Sequence, residues 1–522
     1  MPSYLNEALI GIKKRAERND PASLIATFVD IGMLFAQLST TDNQVIYGRR
    51  GTGKTHALIY LANSRRKAGD IAVYIDMRTI GSTGGLYADV DVPVTERGTR
   101  LLVDTVGRVL DDLTNWTLSE PTHFESDSEF DRVSRALDAV GASITDVRVV
   151  GDIETENRTT ERHSQQRQTG LATAIGEHAV LGAQLSTQKT GSRGHETRVR
   201  RRGRLQQRVH FGDLSHALTT LLEALGRRRV WILLDEWSEV PRDLQPLLAD
   251  MLRRAFFPIQ QVTVKIAAIE HRTALAASSS VTDQYVGIDS GDAGADLNLD
   301  DFMLFGADET RATEFFRSLF FKHVRAVLRA EGRSVVAPGS EFEMVRAGFH
   351  DGAVFAELVR AAEGVPRDAI YIAAGAAARA GLSVIGYDDI RRSARAWYLR
   401  DKENTVRSSG EAYELLLWII DRVMRGRRIR GFMLPQTVNS EHAALFEKLY
   451  DARVLHLVRR DYSEPNSPGV RLDAYLLDYG CYVDITEQAG GSRAPRSAGW
   501  FRGAPDDFIE ISSVILDLAQ FK

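Results

Sequence analysis

Residues Gly48-Arg49-Arg50-Gly51-Thr52-Gly53-Lys54-Thr55 fill every fixed position of the pattern G-x-x-x-x-G-K-[ST]. The run follows the apolar stretch Val45-Ile46-Tyr47 and leads straight into residues of helical spacing from Thr55 to Lys67. A strand, a glycine-rich turn and a helix in that order leave few folds open. Glycines let successive backbone N–H groups close around phosphate oxygens, and the helix N-terminus adds a partial positive charge. Lys54 is expected to place a point charge on the β and γ phosphates, and the Thr55 hydroxyl to ligate Mg²⁺. The binding set expected for the nucleotide is Gly48, Arg49, Arg50, Gly51, Thr52, Gly53, Lys54, Thr55 and His56.

Such a loop stands at the edge of a parallel sheet, and three more apolar runs supply strands for it. They are Ile71 to Asp76, Val230 to Leu234 and Val262 to Ile269, continuous rather than alternating, as expected of strands covered on both faces. The second run ends in Asp235-Glu236. Carboxylates at the carboxyl end of a parallel strand lie beside the phosphate loop, so Asp235 is expected to hold Mg²⁺ and Glu236 to polarise the attacking water. The third run ends in Glu270-His271-Arg272, any one of which can sense a γ-phosphate or simply end a strand in solvent.

The chain is long enough, at 522 residues, for three or four units. Cys481 is its only cysteine, which excludes an internal disulfide framework and Cys-rich zinc modules. No run approaches the length of a membrane span, and the charged first 20 residues do not form a signal peptide; a cytoplasmic location is expected. A net charge of -4 gives no global attraction to nucleic acid, so any such contact needs a local patch.

Composition and spacing divide the chain as follows. Residues 1–40 form an N-terminal helical segment, and 41–305 the phosphate-loop domain with a polar insertion at about 119–211. Helical spacing over 306–405 points to a lid, 406–490 alternates helix and strand, and 491–522 form a tail. The expected fold is α/β, a parallel sheet with helices on both faces, then the helical lid and a C-terminal winged-helix-like α+β domain. Within the lid, Gly364-Val365-Pro366-Arg367 opens an apolar helix, at whose start Arg367 either reaches phosphate or is an ordinary helix-start arginine. Two basic stretches stand out. Arg198 to Arg204 lies in the insertion, and Arg425, Arg427, Arg428, Arg430, Arg459 and Arg460 flank the strands of the last module. Either contacts a DNA backbone or is solvated charge, and the acidic residues of the last module make a protein partner an equal alternative.

Together GRRGTGKT, ILLDEW, the polar-ended strand and GVPRDAI resemble the AAA+ ATPases of the origin-recognition, ORC/CDC-like branch. The resemblance implies ATP and Mg²⁺ as cofactors, with Arg367 in the second sensor position joining Lys54 and Glu236 in catalysis. It also implies a DNA-binding type of winged helix and action on DNA or on a protein partner, self-association included. The sequence departs from the family pattern in offering Glu270, His271 or Arg272 where the first sensor is often Asn, Ser or Thr. It also has only Arg272 where a trans-acting arginine finger would sit. The alternative function is a nucleotide-gated signalling or scaffold ATPase of a bacterial defence or mobile-element system, with slow or partner-stimulated hydrolysis.

Overall fold

The computed structural model describes the chain except residues 1–2, 17–18, 31, 81–88, 90, 120–123, 125, 145–146, 151–152, 159–195, 202–203, 208, 227, 279–284, 290, 303–308, 428, 437–439, 464–470, 489–513 and 522. Strands β1 (Gln44–Tyr47), β2 (Ile71–Asp76), β3 (Val230–Asp235), β4 (Val262–Ala268) and β5 (Gly294–Asn298) form one sheet in the order β5-β1-β4-β3-β2. Every neighbouring pair is parallel. Side chains alternate across it. Val45, Ile232, Leu234, Val264 and Ile266 enter a core with the helices Val94–Ser119, Asp127–Ile144, Phe211–Ala224 and Gln245–Phe256. Ile46, Ala72, Trp231, Leu233 and Ala267 pack on the other face against the helix Lys54–Lys67. Burial on both faces is why these strands read as unbroken apolar runs.

Two features differ from the sequence expectation. Strand β5 lies in a segment that reads as irregular, because Gly294-Ala295-Asp296-Leu297-Asn298 has weak strand propensity. Pairing with β1 and the burial of Leu297 make it a strand. Inside the span 119–211, the helix Asp127–Ile144 buries Val133, Ala136, Leu137, Val140 and Ile144 in the main core, so the polar character starts only after it. Beyond it two antiparallel ribbons pair Val147–Val150 with Arg204–Gln207 and Ile153–Arg158 with Glu196–Arg201. The second register sets Glu156 opposite Arg198, Glu154 opposite Arg200 and Arg158 opposite Glu196. Of the basic run, Arg202 and Gly203 lie outside the described residues.

The helices Glu309–Ala330, Glu341–Gly348, Gly352–Ala362, Pro366–Ala380 and Tyr387–Trp397 share a second core, which the N-terminal helix Ser3–Gly11 joins through Leu5, Ala8 and Leu9. A third core holds the C-terminal module: the helix Gly410–Ile420, strand β6 (Gly431–Pro435), the helix Ser440–Asp451, and strands β7 (Leu455–Ser463) and β8 (Arg471–Leu477). Its sheet is antiparallel in the order β6-β8-β7. The chain end covers the edge of β6, with Met433 N donating to Val514 O at 2.8 Å and Leu516 N to Met433 O at 2.9 Å. Residues 464–470, which join β7 to β8, are outside the described residues.

Candidate nucleotide site

The loop between β1 and the helix Lys54–Lys67 turns through Gly51 at φ +93° and Gly53 at φ +101°, a region costly for residues with a Cβ. Lys54 is buried, and its Nζ donates to Gly48 O at 2.7 Å and Arg49 O at 3.1 Å. Burial lowers its pKa, against the pull of Glu236 and Asp235. Thr55 Oγ1 donates to Asp235 Oδ2 at 2.6 Å, and Tyr74 OH to the same oxygen at 2.7 Å. A hydroxyl and a carboxylate so close, from a helix start and a strand end, are the oxygen donors that a hard cation such as Mg²⁺ takes.

Glu236 follows in left-handed backbone at φ +55°, rare for a residue with a side chain and typical of functional strand ends. Burial raises its carboxyl pKa and the neighbouring Asp235 raises it further, with Lys54 and Arg78 opposing. Arg78 Nη1 lies 3.9 Å from its carboxylate. Arg50 points outward to Glu239 at 2.5 Å, so this side chain leaves the loop. Arg49 also turns away: its backbone N–H donates to Asp300 Oδ2 and its Nε to Asp300 Oδ1, both at 2.9 Å.

The lid closes on the loop through main chain. Arg367 N donates to Gly51 O at 3.2 Å, and a Cβ at Gly51 would stand 2.7 Å from that of Arg367. Beside this seam a small cleft is lined by Phe28, Thr52, His56, Phe315, His323 and Pro366, among others. His56 Nε2 lies 2.5 Å from Leu24 O, which requires it to carry the proton. Burial pushes His323 down to about 3, helped by His56 beside it, so its ring is neutral. An apolar cleft with a few neutral donors and acceptors, opening next to a phosphate loop, has the make-up of a base pocket.

Glu270, His271 and Arg272, just past the end of β4, all turn toward the C-terminal module. Glu270 accepts from Arg460 at 2.9 and 2.5 Å and from Asn298 Nδ2 at 3.3 Å. His271 meets the Tyr450 ring edge-on at 4.9 Å, and Arg272 pairs with Asp451. Two arginines read as DNA contacts are therefore engaged inside the molecule: Arg460 with Glu270, and Arg430 with Glu363. Arg425 pairs with Asp421 at 2.6 Å, Arg459 lies over the Tyr462 ring at 5.7 Å, and Arg428 is outside the described residues. Sequence reasoning missed Tyr74, Asn298, Asp300 and His456. Only Tyr74, two residues before the end of β2, carried a local signal, since strand ends in this sheet converge on the loop.

Residues 13–81 match the family model ORC-CDC6-like, which bears out the resemblance over the segment that contains the phosphate loop. No curated protein matches the chain. Among solved structures, the Aeropyrum pernix ORC1 protein in complex with DNA aligns at 14% identity over 91% of this chain and 98% of that one. Its TM-score is 0.31, a likeness too low to bear on function.

Proposed function

We propose that the chain is a working ATPase of the ORC/CDC6-like AAA+ kind that its residues 13–81 match, coupling nucleotide state to shape change on DNA or a partner protein. The convergence of Lys54, Thr55, Asp235 and the strained Glu236 at one crevice supports this best. Thr55 and Asp235 would hold Mg²⁺, which neutralises phosphate charge when bound. Lys54 would then place its charge on the β and γ oxygens, Glu236 would take a proton from the attacking water, and Arg367 would reach phosphate from the lid. The cleft between His56 and His323 would take the base.

Nucleotide titration and phosphate release on the full chain test the reading. Lys54→Ala is expected to abolish both, and Glu236→Gln to keep binding while hydrolysis drops by about 100-fold or more. Normal turnover in Lys54→Ala would end the assignment. The helix Ser440–Asp451 followed by β7 and β8 supports a winged-helix reading of the last module. Reversing Arg427 and Arg459 is then expected to weaken DNA binding and to reduce its salt slope by about one for each phosphate no longer neutralised.

One observation favours the second reading, a signalling or scaffold ATPase with slow or partner-stimulated turnover. Arg272, the only arginine between β4 and β5, is held by Asp451 of the same chain instead of projecting toward a neighbour. No described helix is long and apolar enough to cross a membrane.

A further inference from the structure

Arg49 occupies a position of the loop pattern where any residue is allowed, yet its side chain is only 3% exposed and reaches into the C-terminal module. Its Nη1 lies 2.7 Å from His456 Nδ1, its Nη2 donates to Glu363 O at 3.3 Å, and the guanidinium stands 5.6 Å from the Tyr450 ring centre. A guanidinium has donors and no acceptor, so His456 Nδ1 must be bare. The proton is then on Nε2, which donates to Asp478 Oδ2 at 3.0 Å. Burial also lowers the pKa of His456, which agrees with a neutral ring of this one tautomer.

The path continues without leaving the interior. Asp478 accepts from Lys402 at 2.6 Å, and Lys402 lies 2.8 Å from Asp368, the residue after Arg367. Trp397 Nε1 donates to the other Asp368 oxygen at 3.1 Å. Both ends of this buried chain meet the same loop, one at Arg49 and the other where Arg367 N holds Gly51 O. Lys54 in turn rests on Arg49 O. An arginine buried this deeply is tolerated only while its donors are matched. The shape of the loop and the seating of the C-terminal module are therefore conditions of each other.

We propose that His456 of the C-terminal module is a positioning residue of the nucleotide site: as a neutral acceptor it fixes Arg49, and through Arg49 the phosphate loop. This rests on the ATPase reading and adds to it a domain that acts on the pocket from the same chain. By linkage, the factor by which a seated module strengthens nucleotide binding is the factor by which bound nucleotide strengthens the seating.

The test is titration of the full chain with a fluorescent ATP analogue and Mg²⁺, comparing wild type, Lys54→Ala, His456→Leu and His456→Gln. Glutamine carries an acceptor and a donor at close to the spacing of the two ring nitrogens; leucine carries neither. His456→Leu is expected to bind at least about tenfold more weakly, and His456→Gln to recover to within about threefold of wild type. A folded leucine variant with near wild-type affinity, or a glutamine variant no better than leucine, overturns the proposal. Should the leucine variant not fold, hydrogen exchange on the wild type decides: nucleotide is expected to increase protection of the amides of Val454 to Leu457, and unchanged protection overturns it. A wild type that fails to bind the analogue, or a Lys54→Ala variant that binds it normally, instead removes the ATPase reading beneath.

Discussion

Lys265 sits in the middle of β4 with no solvent exposure, its ammonium 3.1 Å from Gln44 Oε1 and 5.8 Å from the Trp231 ring centre. Burial pushes its pKa from 10.5 down to about 8. The folded value is below the unfolded one, so between those two pH values the unfolded chain binds more proton and stability rises with pH. Below that window the full cost of a buried cation is present. Lys265→Met is accordingly expected to stabilise the protein by about 1–3 kcal/mol near neutral pH, read from urea midpoints. A loss of stability would mean that the Gln44 contact outweighs desolvation. In the sequence this lysine is a polar interruption of an apolar run, which marks the oddity but not the partner.

At the level of the element, the loop and the lid meet along a seam whose geometry separates two glycines of the same motif. Gly53 has open space where a Cβ would go, while at Gly51 that Cβ would meet Arg367 and Val365. Gly53→Ala is therefore expected to cost backbone strain of about 1–2 kcal/mol without meeting the lid. Gly51→Ala adds a collision with the lid and is expected to weaken nucleotide binding about tenfold more than Gly53→Ala does in the same titration. Equal losses would show that the seam does not hold the lid. Both glycines and the strand before them were legible, because the motif is local. Strand β5 was not: only its partner β1 makes a strand of Gly294 to Asn298, and with it come Asn298 beside Glu270 and Asp300 at the loop.

For the molecule as a whole, buried charge ties the three cores together. Lys402 is 1% exposed between Asp368 and Asp478. Burial resists both carboxylates, but Arg453 and Lys402 at Asp368, and Lys402 with His456 at Asp478, hold their pKa values below the usual range. Lys402→Met leaves two buried acids without this partner and is expected to cost about 3–5 kcal/mol of unfolding free energy. A cost near zero would show that water reaches the site. His56, His323 and His456 are each pushed down by burial. Their folded values lie below the unfolded 6.5, so the stability they confer is complete above that pH and declines as pH falls below it. Urea midpoints are expected to drop between about pH 7 and pH 5, with a shallower slope in His456→Gln. A flat profile would mean that these rings are hydrated.

Local order determined the chemistry of the loop: a glycine-rich turn between an apolar strand and a helix, and two acids at the end of another such strand, are patterns of neighbouring residues that burial and backbone geometry impose wherever they occur. Tertiary structure alone decided which polar groups face one another. Glu270 could have looked to phosphate or to solvent until β7 brought Arg460 beside it. Arg49 reads as one more cation on a phosphate loop, and becomes a link to the C-terminal module only because His456, more than 400 positions away, is folded against it. Contacts between distant segments leave no periodicity in the chain, since they depend on how separately formed cores dock.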